Sequence, residues 1–104
     1  MSISLKSQHL IISSELVESY FQNSPYVLLS YKEEIGKLLI SPVDNAWFTK
    51  MHKADQYFLK QRNLKGDNST GIHALLLDFD LDDSDRDLSF SENSTSNFLS
   101  VDIK

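Results

Sequence analysis

The chain has 104 residues, of which 40% are hydrophobic and 24% are charged. This length and composition are typical of one globular domain, so we predict a single domain over residues 1–104. Because the chain has no cysteine, disulfide frameworks, thiolate metal sites and cysteine nucleophiles are excluded, and the absence fits a reducing compartment. The net charge of −5 argues against bulk attraction to nucleic acid or to an anionic membrane.

The N-terminal region and the apolar runs of the chain bear on its location. Residues 1–9 include one lysine and no apolar run of signal-peptide length, and the apolar stretches elsewhere are short. A membrane-spanning helix needs about 20 mostly apolar residues. We therefore expect a cytoplasmic protein without a targeting segment or a membrane anchor.

The first predicted elements form a β-α-β-β unit. Residues 9–13 are a short apolar run typical of a buried strand, and residues 14–22 are predicted to form a short helix that begins at a serine. Residues 26–31 and 37–41 are β-rich runs, and Gly36 in the loop between them permits a positive φ angle. These two runs predict a β-hairpin.

A second helix is predicted to begin at Ser41. Serine suits the cap position, Pro42 the first helical position and Asp44 the third. The apolar residues that follow at helical spacing are interpreted as a face packed in the core, namely Val43, Trp47, Met51, Ala54 and Phe58. This helix either continues to about Gln61 or breaks near His52, and the sequence leaves both alternatives open.

The rest of the chain is predicted to be a loop followed by strands. Residues 64–71 hold two of the three glycines and indicate a loop. Residues 72–81 place apolar side chains at alternate positions, which predicts a strand, and a turn at 82–85 precedes strands at 86–91 and 97–103. No internal repeat is visible. The fold class is therefore α+β, with a small, mostly antiparallel sheet or barrel, one short helix and one longer helix.

Positive and negative side chains are concentrated in different segments. The net charge is +4 over residues 50–65 and −6 over residues 78–92. The basic residues are predicted to lie on the long helix and at its exit, and they are Lys50, Lys53, Lys60, Arg62 and Lys65. Such a face is either solvated or a docking surface for an acidic partner or a phosphate backbone. A third alternative is that it faces the acidic segment of the same chain or of a second copy.

The acidic segment contains the aspartates Asp78, Asp80, Asp82, Asp83, Asp85 and Asp87. A calcium-binding EF-hand loop needs glycine at its sixth position and glutamate at its twelfth. A loop that starts at Asp78 has Asp83 and Ser89 at these positions instead. We therefore predict a solvated acidic edge that resists unwanted strand pairing, and we predict no metal or cofactor.

The histidines and glycines of the chain form no catalytic or phosphate-binding motif. His9, His52 and His73 are the three histidines, and no pair has metal-ligand spacing on one helix. The glycines form no phosphate-binding loop. An enzyme would therefore need a pocket that brings catalytic groups together. The enzyme hypothesis places this pocket at a dimer seam, around Trp47, His52 and Tyr57.

Residues 8–47 resemble the swapped-hairpin unit of the AbrB and MraZ transcription-factor group. The residues that carry the resemblance are Gln8-His9-Leu10-Ile11-Ile12, Ser13-Ser14-Glu15-Leu16, residues 26–30, Gly36, residues 38–40, Pro42 and Trp47. The resemblance implies a swapped-hairpin homodimer whose interface includes Tyr26, Leu28, Leu38 and Ile40. Members of that group carry basic DNA-contacting residues where this chain has Gln8, His9 and Ser14, so the fold is carried over without the DNA binding.

Three function hypotheses follow. The leading one is a small intracellular interaction or regulatory module, dimeric and without enzymatic activity. The alternatives are a DNA-binding transcriptional regulator that uses the basic residues, and an enzyme with a pocket at a dimer seam.

Overall fold

The computed structural model describes residues 2–22, 24–64, 66–93 and 95–103. The strands are β1 (Ile3–Lys6), β2 (His9–Ile12), β3 (Tyr26–Lys32), β4 (Lys37–Pro42), β5 (Asp55–Phe58), β6 (Lys60–Gln61), β7 (Asn68–Gly71), β8 (Arg86–Leu88), β9 (Phe90–Asn93) and β10 (Phe98–Asp102). The helices are α1 (Ser14–Phe21), α2 (Ala46–Met51) and α3 (His73–Asp78). The fold is α+β, and the strand pairings in the described residues are antiparallel.

The strands form two five-stranded sheets. Sheet 1 has the order β6-β7-β2-β1-β8, and sheet 2 has the order β5-β3-β4-β10-β9. At each edge one extended segment bends from one sheet into the other, at Leu59 between β5 and β6 and at Ser89 between β8 and β9. Strands that change sheet in this way form the corners of a sandwich. The structure is therefore a two-sheet sandwich with bent corners and not the closed barrel that the sequence left open.

The strand pairings reveal two equivalent halves of the chain. The first half runs through β1, β2, α1, β3 and β4, and the second half runs in the same order through β5-β6, β7, α3, β8-β9 and β10. β2 pairs with β7 and β4 pairs with β10, while β1 pairs with β8 and β3 pairs with β5. This exchange of equivalent partners is the pattern of an internal two-fold repeat, which the sequence does not reveal.

The residues predicted for a dimer interface contact the second half of the same chain. Leu38 and Ile40 lie opposite Val101 and Leu99, and both are fully buried in the single chain. Tyr26 and Leu28 lie opposite residues of β5. The interface that the sequence assigns to a second copy thus has its counterpart between the two halves of one chain.

The main core lies between the two sheets. Its buried side chains come from the inner faces of both sheets and from α1 and α3, and they include Ile3, Leu10, Ile12, Leu16, Phe21, Val27, Leu38, Ile40, Ile72, Leu76, Leu99 and Val101. A smaller cluster of Leu28, Leu39, Phe48 and Phe98 lies on the outer face of sheet 2 beneath α2. Among the described residues, α1, α2 and α3 are all too short and too polar to cross a membrane.

The long helix predicted after Ser41 is wrong in its start and in its buried face. Asn45 is the N-cap, because its side-chain oxygen accepts a hydrogen bond from the backbone N–H of Phe48 at 3.0 Å and its amide donates to the carbonyl of Ser96 at 2.8 Å. The helix ends at Met51, which agrees with the alternative of a break near His52, and β5 and β6 follow.

The predicted core stripe of this helix faces solvent. Val43, Trp47, Met51 and Phe58 are between 36% and 60% exposed, and Ala54 is partly buried. Phe48, at one position from the stripe, is the fully buried anchor of the helix. Val43 lies in a turn, Trp47 and Met51 in α2, and Phe58 in β5. Their four-residue spacing is therefore not that of one helical face.

The predicted strand at 72–81 is also wrong, since residues His73–Asp78 form α3. Ile72, Leu75 and Leu76 are buried, and their spacing of three and four residues is that of a helix face. Leu77, which a strand would have buried together with Leu75, is 72% exposed. The apolar residues of 72–77 fit the two-residue spacing of a strand as well as the three-to-four-residue spacing of a helix. The helix forms because it buries Ile72, Leu75 and Leu76 in the core.

Two short strands lie outside the predicted elements. β1 precedes the first predicted strand, and its Ile3 and Leu5 are buried on alternate positions. β7 lies within the predicted 64–71 loop and pairs with β2 along its whole length, although its sequence Asn-Ser-Thr-Gly has no large apolar side chain. Backbone pairing with a strongly apolar neighbour is what orders this polar segment.

Candidate functional site

A cleft of about 320 Å³ opens between α3 and one edge of sheet 2. β5 pairs with β3 only as far as the pair of Leu29 and Asp55, so the end of β3 has no strand beyond it on this side in the described residues. α3 lies beside this gap. The lining residues are Leu29, Ser30, Tyr31, Lys32, Lys53, Asp55, Tyr57, Ala74, Leu75, Asp78 and Phe79. The cleft therefore depends on three separate elements meeting in the folded chain.

Aromatic rings form the apolar part of the cleft. The rings of Tyr31 and Phe79 have centroids 4.7 Å apart at an angle of 55°, a geometry favourable for aromatic pairs. Phe79 follows α3 and is 40% exposed, whereas Tyr31 and Tyr57 are half-buried and pack against the main core. The three rings thus offer partly accessible faces on a rigid support.

Two carboxylates act on the same end of the cleft. Burial raises the pKa of Tyr57, and the negative charges of Asp55 and Asp78 raise it further. Burial likewise raises the pKa of Tyr31, with a smaller effect from Glu33. Both phenols therefore keep their protons at neutral pH and offer hydroxyl groups as hydrogen-bond donors and acceptors beside the carboxylates.

Two lysines, Lys32 and Lys53, also line the cleft. The backbone carbonyl of Lys53 accepts a hydrogen bond from the hydroxyl of Ser30 at 2.8 Å, while the residue as a whole is exposed. Lys32 also lines a groove on the outer face of sheet 2, where its charge contributes, after burial, to a lowered pKa of His52. The charges that act on Tyr57 are both negative.

The outer face of sheet 2 carries a second aromatic group, built around α2. Trp47, which is 45% exposed, stacks on Phe98 with ring centroids 6.1 Å apart and an angle of 14°. His52 contacts the rings of Trp47, Phe48 and Phe98 at 4.8 to 6.0 Å. Its Nδ1 is buried and, within the described ranges, has no hydrogen-bond partner. A shallow groove of about 540 Å³ runs past His52 and Phe98.

The structure does not assemble the pocket predicted around Trp47, His52 and Tyr57. Trp47 and His52 are neighbours on the outer face of sheet 2, with ring centroids 5.9 Å apart. Tyr57 packs against the main core and lines the cleft beside α3. Alternate residues of a strand point to opposite faces, and this separates Tyr57 from the α2 side.

The predicted basic helix face is wrong, because the basic residues lie on different elements. Lys50 is on α2 and Lys53 follows that helix, whereas Lys60 is in β6 of sheet 1 and Arg62 follows β6. The fifth predicted residue, Lys65, lies outside the described residues. The chain bends from sheet 2 into sheet 1 between Lys53 and Lys60, so the sequence block does not correspond to one helical surface.

The acidic segment has a structural role that the sequence did not suggest. Asp85 accepts a hydrogen bond from the backbone N–H of Ser7 at 2.8 Å, and Asp83 accepts one from the side chain of Gln8 at 3.0 Å. Ser7 and Gln8 form the β1-β2 turn and have φ angles of 49° and 65°. The two carboxylates therefore hold a left-handed turn made without glycine.

The other aspartates have different surroundings. Asp82 accepts a hydrogen bond from the backbone N–H of Ser84 at 2.9 Å, and hydrogen bonds from Ser84 lower its pKa. Asp78 lines the cleft. In the part of the chain that the structure describes, no group of three or more histidine, aspartate or glutamate side chains is placed to hold a metal ion.

The cleft residues were only partly visible in the sequence. Tyr57 belongs to the predicted dimer-seam pocket and Asp78 to the predicted acidic edge, and no sequence motif marks Tyr31, Asp55 or Phe79 as site residues. The available signal was the spacing of Ile72, Leu75 and Leu76, which indicates a helix instead of a strand. The end of this helix brings Asp78 and Phe79 to the cleft.

Comparison with known proteins assigns this chain to no family. No family model matches the chain, and neither the curated proteins nor the solved structures contain a match. The resemblance of residues 8–47 to the AbrB and MraZ group stays a prediction. The arguments about function therefore depend on the geometry and the charges of this chain.

Proposed function

We propose that the protein is a small intracellular binding module of the interaction or regulatory type, without enzymatic activity, and that the cleft beside α3 is its ligand site. The observation that carries this proposal is the convergence of Tyr31, Tyr57 and Phe79 with two carboxylates in one cleft. Its volume of about 320 Å³ is at the lower end of the range for small-ligand sites. The site accommodates a small molecule or one side chain of a partner protein.

The chemistry of the cleft supports binding better than catalysis. Of the ionisable groups that line the cleft, the phenols of Tyr31 and Tyr57 keep their protons, and the carboxylates of Asp55 and Asp78 have no histidine among the described lining residues with which to share a proton. His52, the histidine of the predicted pocket, lies on the other face of sheet 2. What the cleft offers is aromatic surface, hydroxyl groups and negative charge, all of which serve recognition.

The DNA-binding alternative receives less support from the same geometry. Nucleic-acid binding needs lysines and arginines clustered on one surface. Here Lys50 and Lys60 belong to a helix over one sheet and to an edge strand of the other. We therefore favour the binding module over a transcriptional regulator.

The homodimer and the swapped hairpin remain part of the proposal. Leu38 and Ile40 are fully buried within one chain, so they reach a second copy only if the β3-β4 hairpin leaves β10. An exchange of this kind breaks many contacts, and we expect its product to interconvert slowly with the monomer. Light scattering after dilution tests it: a rapid monomer-dimer equilibrium contradicts hairpin exchange, and a monomer at every concentration contradicts the dimer.

The ligand site is tested by amide NMR spectra of the full chain during titration with three probes of similar shape, benzylamine, benzyl alcohol and phenylacetate. We expect at least one probe to shift the resonances of residues 29–32, 55–57 and 74–79. The variant Phe79→Ala should weaken that binding about fivefold or more, because it removes an aromatic wall. Trp47→Ala is the control, since it removes an aromatic ring from the opposite face. The ligand site is wrong if no probe shifts the cleft resonances.

A further inference from the structure

The two carboxylates that line the cleft, Asp55 and Asp78, have no ion-pair partner among the described residues, although Lys32 and Lys53 line the same cleft. Within residues 2–22, 24–64, 66–93 and 95–103, the ion pair that the structure shows joins Lys37 on β4 to Asp102 on β10, and neither of these residues lines the cleft. The side chains of Asp55 and Asp78 make neither an ion pair nor a hydrogen bond with any described residue. Both are nevertheless close enough to Tyr57 to act on its hydroxyl. The cleft thus holds two carboxylates whose oxygens are available to a ligand, beside two lysines that do not pair with them in the described residues.

Aromatic faces surround these charges. Tyr31, Tyr57 and Phe79 line the same cleft, and the Tyr31 and Phe79 rings are in contact. The face of an aromatic ring carries partial negative charge and attracts an ammonium or guanidinium group, most strongly where water is partly excluded. A carboxylate adds a charge-assisted hydrogen bond to the same group. The two kinds of side chain therefore select the same ligand charge.

We propose that the cleft binds an organic cation, a primary ammonium or guanidinium group carried on an apolar or aromatic body. Asp55 and Asp78 accept hydrogen bonds from the cationic group, and the rings of Tyr31, Tyr57 and Phe79 contact its positive charge and its apolar part. This inference rests on the proposed function, because it names the ligand class of the same cleft.

The lysines of the cleft make a specific contribution to this selectivity. The exposed Lys53 places a like charge at the margin of the cleft, which weakens the attraction of a cation from solvent. Lys32 is shared with the groove on the other face of sheet 2, where it acts on His52. Removing the charge of Lys53 is therefore expected to strengthen cation binding slightly, and removing a carboxylate to weaken it strongly.

Isothermal titration with the three probes tests the ligand class. We expect benzylamine to bind at least about tenfold more tightly than benzyl alcohol, because the two differ in the charged group that meets the carboxylates. Phenylacetate should bind more weakly than benzyl alcohol. A short blocked peptide with one lysine, compared with free benzylamine, shows whether the cation comes from a partner protein or from a small molecule.

Charge variants locate the effect in the cleft. Asp78→Asn and Asp55→Asn should each weaken benzylamine about fivefold to tenfold and leave benzyl alcohol within about twofold. Lys53→Gln should strengthen benzylamine about twofold. Asp87→Asn is the matched control, because it removes the same charge from an exposed position on β8 that does not line the cleft. It should change benzylamine binding by less than about twofold.

The outcomes separate the two proposals. If phenylacetate or benzyl alcohol shifts the cleft resonances and binds as tightly as benzylamine, the ligand site stands and the cation class is wrong. An equal loss of benzylamine binding in Asp78→Asn and Asp87→Asn also contradicts the cation site, since the effect then comes from net charge. If none of the three probes shifts the cleft resonances, both proposals are wrong.

Discussion

The two halves of the chain reach the same arrangement of elements with sequences of different character. In the first half, β2 is His-Leu-Ile-Ile, and its Leu10 and Ile12 are fully buried in the core. In the second half, β7 takes the equivalent place with the sequence Asn-Ser-Thr-Gly. The two strands pair with one another, Leu10 opposite Thr70. A strand with a strong pattern thus organises a neighbour that has none, because backbone hydrogen bonds do not depend on side-chain type.

The largest expected effect distinguishes these two strands. Leu10 is fully buried and Thr70 is 2% exposed, but Leu10 contributes far more apolar surface to the core. We expect Leu10→Ala to lower the free energy of unfolding by about 3 kcal/mol. Thr70→Ala should lower it by about 1 kcal/mol, because a small side chain is shortened and the backbone pairing is kept. Urea unfolding measures both values, and equal losses would show that β7 contributes to the core as β2 does.

A second comparison concerns neighbouring leucines in α3. Leu76 is 3% exposed and Leu77 is 72% exposed. Leu76→Ala is therefore expected to lower the free energy of unfolding by about 2 to 3 kcal/mol. Leu77→Ala should change it by less than about 0.5 kcal/mol. Urea unfolding measures both values. A larger loss of unfolding free energy for Leu77→Ala than for Leu76→Ala would support the strand predicted for residues 72–81.

The turns at equivalent places in the two halves give a smaller effect. Ser7 and Gln8 adopt positive φ angles between β1 and β2, whereas the loop before β7 has Gly66 at a φ of 94°. A non-glycine residue in the left-handed region costs about 1 kcal/mol. Because glycine also increases the entropy of the unfolded chain, we expect Gln8→Gly to stabilise the protein by only about 0.5 kcal/mol.

Thermal unfolding of Gln8→Gly measures this difference. Gly66→Ala is the complementary change and should destabilise the protein, since its φ angle is unfavourable for alanine and an added Cβ would lie 3.3 Å from the Cβ of Ser14. A loss of stability in Gln8→Gly would mean that the hydrogen bond between Gln8 and Asp83 outweighs the relief of the turn.

The smallest expected effect is a pH dependence located at α2. Burial, followed by the charge of Lys32, lowers the pKa of His52 below its ordinary value of 6.5. The unfolded chain then binds a proton at His52 more readily than the folded chain does. This contribution to stability is complete above about pH 6.5 and is lost as the pH falls below that value. In His52→Gln the fall in melting temperature between pH 7 and pH 5 should be smaller, and an unchanged pH profile would contradict the assignment.

The ligand cleft could be predicted less well than the strands around it. The hairpin of β3 and β4, the positive φ angle of Gly36 and β10 agree with local patterns. The single strand predicted at 86–91 is divided at Ser89 into β8 and β9, which belong to different sheets. The cleft depends on the end of β3, the start of β5 and α3, and two of these were assigned wrongly. The alternation of residues 72–81 predicts a strand, and a strand does not bring Asp78 and Phe79 together with Tyr31.

The sequence by itself determined the α+β class, the first β-α-β-β unit and the alternation of the C-terminal strands, because these depend on side chains close together in the chain. Tertiary structure decided the rest. Pairings such as β2 with β7 and β3 with β5 join residues that are remote in sequence, and local propensity does not report them. Residues 73–78 form a helix because Leu75 and Leu76 pack into the core. Trp47 and Met51 stay exposed because the core contact of α2 is made by Phe48.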